Sequence, residues 1–402
     1  MIRDVLYPGA AMSGKSKAFS ISVLIVTQIG VLSLWFSSAA VLGEMGREAG
    51  LSPARLAWLS TAVQLGFASG AFFYAFLGLA DRYDPRRVFA VSAVIAAIAN
   101  AGLLVAPLGG AEAMALRAIT GAAMAGVYPV GMKIAVGWGK SDRALLVGSL
   151  VGALTLGSAS PHLIALFGGA DWRMTIWSTT CIALTGALGI LSIGLGPHHA
   201  KAPKLDLAAV SLAWTNRKIR LAILGYLGHM WELYAFWAWV GVIASVSFAQ
   251  GGFADAQDLA KLTAFLAIAL GGIACVPAGL WGDRYGCDRI AMICLIGSGG
   301  AALLAALAFG GPAWLMMGIL ILWGILIIPD SAQYSTLVAD NAPPERAGSL
   351  LTIQNAFGFL LTAVTVQTMP VLAEAWGWPT VLAILSLGPA MGIWCMIRYY
   401  RG

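Results

Sequence analysis

The chain has 402 residues, 59% of them hydrophobic and only 10% charged, with 24 Lys and Arg against 18 Asp and Glu. Soluble domains carry about 25% charged residues, so this composition excludes a disordered chain, a coiled coil and an ordinary soluble enzyme. The net charge of +6 invites a nucleic-acid partner, but the basic residues lie between apolar runs, where they report topology instead.

In chain order, residues 1–18 are mostly polar or small and carry Arg3, Lys15 and Lys17, with no cleavable signal expected. Gly9-Ala10-Ala11-Met12-Ser13-Gly14-Lys15-Ser16 matches the phosphate-loop pattern. That motif works only between a buried strand and a helix of an α/β domain. Here an apolar run follows at once, so the match is read as chance and no nucleotide or other cofactor is expected. Twelve apolar runs then follow, at about 19–43, 57–80, 88–108, 112–136, 144–168, 174–196, 219–248, 259–281, 290–310, 313–337, 348–371 and 377–398. Each approaches the roughly 20 residues that cross a bilayer as a helix. None shows the period-two alternation of a membrane barrel. The fold class predicted is all-α and integral to a membrane, with twelve spanning helices.

Between spans six and seven lies the longest polar stretch, taken as a linker over 197–218, with Leu205 to Trp214 able to lie flat as an amphipathic helix. With the N-terminus cytoplasmic, 18 Lys and Arg fall on the inside, and only Arg47, Arg55, Arg173 and Lys261 on the outside. This is the positive-inside pattern, and it puts both termini, including a tail at 399–402, in the cytoplasm of a cell with a bacterial-type inner membrane. The five cysteines form no CxxC, and four of them sit in spans. They read as small packing residues. His198-His199 alone is too little for a metal site, so no metal is expected.

The two halves resemble one another. Leu79-Ala80-Asp81-Arg82-Tyr83 returns as Trp281-Gly282-Asp283-Arg284-Tyr285, Tyr128-Pro129 as Ile328-Pro329, Asp142-Arg143-Ala144 as Glu345-Arg346-Ala347, and Trp35 as Trp237, all at offsets of 200–203. Two six-helix halves, 19–196 and 219–398, follow from this register. Parallel repeats enclosing a midplane site are a transporter architecture.

These motifs resemble the major facilitator superfamily over residues 19–398. Its loop signature, Gly-x-x-x-Asp-Arg-x-Gly-Arg-Arg after spans two and eight, is matched by Gly279, Asp283, Arg284, Gly286 and Arg289. The first copy, with Asp81, Arg82, Arg86 and Arg87, departs from it. Its leading Gly78 comes one residue late, and Asp84 stands where the second Gly belongs. The resemblance implies that these loop residues gate, and that Arg117, four residues before Gly121 in span four, takes part in proton transfer.

Charges within a bilayer are costly, about 2.5–3.5 kcal/mol at a helix centre, so those inside the spans mark candidate sites. Glu232 near the middle of span seven shares a helix face with His229, three residues earlier. A carboxylate beside an imidazole is a proton-coupling candidate; the alternative is a structural pair locking span seven to a neighbour. Asp330 follows Pro329 in span ten, where a kink is expected, with Gln333 on the same face. Lys133 either snorkels to the surface, pairs with an acid such as Asp330, or holds an anion. Gln354, Asn355, His162, Tyr128, Trp35, Trp231 and Tyr234 complete the cavity candidates.

The function predicted is secondary active transport of a small organic solute by alternating access, coupled to protons, with a monomer sufficient and no nucleic-acid partner. The rivals are an anion carrier, disfavoured for nitrate because the cores of spans two and eight hold no Arg, an uncoupled facilitator, and a transporter-like receptor or assembly factor.

Overall fold

The structure is a computed structural model describing residues 15–139, 143–168, 171–198 and 209–401. The phosphate-loop string up to Gly14 and residues 199–208 of the 197–218 linker lie outside these residues. Ten helices among the described residues are long and apolar enough to cross a membrane. The other two positions of a twelve-helix arrangement are filled by Lys17–Leu32, at 16 residues, and Pro85–Gly102, at 18. With an even number of spans, both termini sit at one end of the bundle, called here the terminal face. Of the expected flat linker helix, Ala209–Thr215 is present.

Packing follows the repeat. Span two (Pro53–Leu77) and the first part of span four (Ala111–Met124) approach so closely that a Cβ on Gly121 would run into the Val63 carbonyl oxygen. In the second half, span ten (Ala313–Ile327) meets span eight (Ala256–Tyr285) in the same way, and a Cβ on Gly324 would strike the Ala267 carbonyl. Small residues let membrane helices come this near, where dispersion replaces the hydrophobic drive available in water.

Several spans are interrupted, and two of the breaks fall in register. Span four stops at Met124 and resumes as Tyr128–Trp138 with Pro129 in its first turn. Span ten stops at Ile327 and resumes as Asp330–Asn341 after Pro329. Proline supplies no amide donor, so the ladder breaks there. Span one is not the single helix expected over 19–43. It ends at Leu32, runs through turns, and returns as a 3₁₀ turn at Ala39–Val41 and the helix Leu42–Ala49.

The departures in the first loop motif have local causes. Gly78 has φ +58° and ends span two in the left-handed conformation, so it must come where the helix stops. Gly279 lies inside the uninterrupted span eight, and the second copy breaks instead at Gly286, φ +100°. Asp84 caps span three, accepting from the Arg86 amide at 2.9 Å and pairing with the Arg86 guanidinium at 2.6 Å, while Arg86 also donates to the Ile193 carbonyl at 2.9 Å. A glycine there would supply neither contact.

Partial burial works against the Asp84 charge, but the Arg86 contacts outweigh it and hold the carboxyl below its usual range. A folded-state pKa below the unfolded one adds stability that is present at neutral pH and lost as pH falls through the folded value. Asp84→Ala is expected to cost about 1 kcal/mol at pH 7. Thermal melts of detergent-purified protein should show the gap to wild type closing as pH falls below about 4.

Candidate functional site

The two halves meet near the middle of the bundle in a seam of aromatic rings. Trp35 follows the break in span one, and Phe67 is midway along span two. From the other half come Tyr234 and Trp237, in the middle of span seven (Arg217–Gln250), and Phe359, in the middle of span eleven (Pro344–Trp376). Trp35 lies 4.6 Å from Phe67, 5.8 Å from Phe359 and 5.9 Å from Tyr234, centroid to centroid. Phe67 and Phe359 are 4.4 Å apart, Tyr234 and Phe359 5.1 Å, and Phe36 meets Trp237 edge-on at 5.6 Å. Phe67 and Phe359 carry no mark in the sequence that separates them from the many lipid-facing phenylalanines.

What fixes Trp35 is Arg117. Its guanidinium is fully buried and donates to the carbonyls of Leu34 at 3.0 Å, Trp35 at 2.6 Å and Leu59 at 3.2 Å, and to Asn100 Oδ1 at 3.2 Å. The broken turn of span one exposes carbonyls that no helix ladder satisfies, and the guanidinium fork takes them up. Asn100 extends the knot. It accepts from Ser37 Oγ at 2.6 Å and donates to Ile176 O at 3.2 Å and Thr180 Oγ1 at 3.0 Å. The structure therefore places Arg117 among main-chain acceptors, and sequence reasoning missed Asn100 and Ser37. A lone amide in an apolar span was the available signal.

His229 and Glu232, expected to act as neighbours on one face, each turn to a different partner. His229 Nδ1 lies 2.8 Å from Asp330 Oδ1, with both side chains buried. Asp330 opens the second segment of span ten, where the helix N-terminus favours a carboxylate. Glu232 accepts from Ser298 Oγ at 2.6 Å and Trp323 Nε1 at 3.0 Å. Span seven is thus bonded to span ten on both sides of the span-ten break, through Trp323 before it and Asp330 after it. Tyr226 donates to Asn355 Oδ1 at 3.1 Å, and its ring lies 5.9 Å from His229.

The remaining candidates scatter. Lys133 pairs with Asp81 of the loop motif and donates to the Ala80 carbonyl at 3.0 Å. Gln333, its counterpart, donates to Ala278 O at 3.3 Å. His162 is buried on span five, 3.7 Å from where a Cβ of Gly241 would lie on span seven. Gln354 is buried, and Tyr128 is half-buried at the break in span four. Trp231 donates to Ile384 O at 3.3 Å and packs on span twelve, outside the seam. Arg82, Asp283, Arg284 and Arg289 are exposed at the terminal face.

At the end opposite the termini the halves are bonded to each other. Lys261 Nζ lies 2.9 Å from Glu44 Oε1, both nearly buried, and 3.3 Å from Ala165 O. Arg47 reaches Gln257 Oε1 at 3.2 Å, and Gln367 joins Ala54 O at 3.0 Å and Thr61 Oγ1 at 3.1 Å. Lys261, expected in an outside loop, is therefore a buried cross-half contact.

The family model described as Major Facilitator Superfamily matches residues 23–366 and 256–402. The chain belongs to the major facilitator superfamily. This is a family of transporters rather than enzymes. Two curated relatives, "Uncharacterized transporter YgaY" of Escherichia coli O157:H7 and "Putative uncharacterized transporter YgaY" of Escherichia coli strain K12, are each 27% identical over 225 residues, covering 53% of this chain and 54% of the relative. The match thus spans about half the length of these relatives. Among solved structures, the nucleoside transporter NupG gives a TM-score of 0.72 at 18% identity over 95% of this chain and 99% of the other. The D-xylose-proton symporter gives 0.74 at 16%, over 96% and 98%. A bacterial homologue of the human lysosomal transporter Spinster, in an inward-facing and occupied conformation, gives 0.74 at 12%, over 96% and 98%. These likenesses show the twelve-helix fold in two pseudo-symmetric halves.

Arg117→Met should take the guanidinium donor from the Trp35 carbonyl in a dry interior, and would leave Leu34 with Ser37 Oγ and Leu59 with its own helix. The expected loss is at least about 3 kcal/mol, read as a large drop in melting temperature in detergent, with Arg117→Lys recovering part of it. An unchanged melting temperature in Arg117→Met would remove Arg117 from this role.

Proposed function

We propose that the protein is a secondary transporter that moves a small organic solute by alternating access, with proton coupling through the His229–Asp330 pair. It would lie in a plasma membrane of the bacterial inner-membrane type, with both termini cytoplasmic and a complete pathway in each monomer. The observation that carries the reading is the central seam. Rings from both halves meet at mid-height, where rocking of one half against the other would open and close a path. Lys133 bonded to Asp81 and Gln333 bonded to Ala278 brace each half internally at the terminal face, so each half can move as a unit.

Coupling is argued from placement. Asp330 and His229 tie the terminal-face segment of span ten to span seven. Protonating Asp330 removes its charge and loosens that tie, which would bias the tilt of the segment. The gradient can drive this, because a charge moved across the membrane is worth about 2.3 kcal/mol per 100 mV. Glu232 has both oxygens engaged by Ser298 and Trp323, which favours a supporting role in the same half. An anionic substrate is less well supported, since Arg117, Lys133 and Lys261 are all engaged by carbonyls or acids.

Proteoliposomes holding a pH-sensitive dye, screened with pools of small organic solutes, test the reading. A transported solute should enter with a proton flux. Asp330→Asn should retain solute exchange while uphill accumulation falls at least about tenfold, a coupling difference of roughly 1.4 kcal/mol. Undiminished proton-driven accumulation in Asp330→Asn would sink the coupling assignment.

A further inference from the structure

The indole N–H groups separate the seam from the rest of the core. Among the described residues, five tryptophans are buried. Three donate within their own half: Trp172 to Glu48 Oε2 at 2.8 Å, Trp239 to Val366 O at 3.0 Å and Trp323 to Glu232 Oε2 at 3.0 Å. Trp35 and Trp237, each 2% exposed, have no acceptor among the described residues. These two occupy equivalent positions of the two repeats, 202 residues apart, and both belong to the cross-half ring cluster. On span two, Ser60, Gln64 and Phe67 follow one another at helical spacing on one face. The Gln64 amide and the Ser60 hydroxyl are buried and likewise unpartnered among the described residues, while Phe67 stacks in the cluster. A buried donor with no acceptor carries an uncompensated desolvation cost. Part of that cost falls where the two halves must part.

The charges nearby are spoken for. Arg117 is spent on the carbonyls of Leu34, Trp35 and Leu59 behind the Trp35 ring. Glu232 is held by Ser298 and Trp323, and Asp330 by His229. A charged solute brought against the rings would lose its hydration with no opposite charge to meet it.

We propose that the seam binds an uncharged solute with a flat, apolar body that replaces the ring-to-ring contacts, and with hydrogen-bond acceptors at its edge that take the Trp35 and Trp237 N–H groups and the Gln64 amide. This rests on the transporter reading only in taking the seam as the solute site. The ring faces supply stacking area for the body, and each half contributes one indole donor, so a solute held by both donors spans the interface on which the rocking depends.

The test uses purified full-length protein and three probes sharing one ring body: 1-naphthamide, 1-naphthoate and 1-naphthylmethylammonium. Binding is read by titration calorimetry and by thermal shift. The amide is expected to bind at least tenfold more tightly than either ion. Trp35→Phe and Trp237→Phe, which keep a ring and lose the donor, should each weaken the amide roughly five- to tenfold with the ligand-free melting temperature held. Equal or tighter binding of either ion, no binding of the amide, or amide binding indifferent to both substitutions overturns the proposal. Wild-type proteoliposomes separate this from the transporter reading. A saccharide that is taken up while no naphthalene probe binds overturns the solute class and leaves transport intact. An amide that binds at the seam while no solute is ever exchanged supports the solute class and overturns transport.

Discussion

A bilayer interior offers no water to a broken backbone, and the guanidinium of Arg117 is this protein's answer to that constraint at the break in span one. Within a membrane every main-chain carbonyl needs an internal partner. Span one leaves the helical ladder after Leu32. Without the fork of Arg117 on Leu34, Trp35 and Leu59, the turn would be too costly to keep. Because the turn is kept, Trp35 is presented both to Phe67 of its own half and to Tyr234 and Phe359 of the other. The seam is thus fixed by a residue that does not touch it with its charge.

The same economy governs the other buried ions. Asp330 lies 2.8 Å from His229, Glu232 is capped by a hydroxyl and an indole, and Lys261 meets Glu44. Each arrangement ties particular elements together, and of these three only the Lys261 contact crosses between halves. Ions inside a half make it rigid, whereas an ion across the halves must be broken in any rocking motion. At the same end, outside the bilayer, the Glu48 carboxyl is held down to a pKa of about 2 by Arg173 and Trp172, so the brace between the helix after span one and span six stays charged at ordinary pH.

The twelve spans, the two-fold repeat and the kink at Pro329 were legible in the sequence, because length, apolarity and proline punctuation act locally, while the matching break at Pro129 was marked only as a repeat of Ile328-Pro329. Partner choice was not legible. Spacing of three put His229 and Glu232 on one face, but a helix face is broad, and the second segment of span ten meets one part of it while span nine and the first segment meet another. Span one read as continuous because its apolar run never stops. Its break is stabilised by Arg117, more than 80 residues away, and nothing local announces it. Asp84 looked like damage to a loop motif and is a helix cap tied to Arg86.

The most direct test of two rigid halves pivoting about a central seam is a pair of distances measured by pulsed electron spin resonance on the full chain in nanodiscs. One pair of labels goes at Glu112 and Asp255, exposed at the end opposite the termini, and the other at Arg87 and Arg289, exposed at the terminal face. Across a pH series, the account predicts two populations whose changes are opposed, the first distance lengthening as the second shortens. A single fixed distance at each end, or both ends widening together, would contradict it.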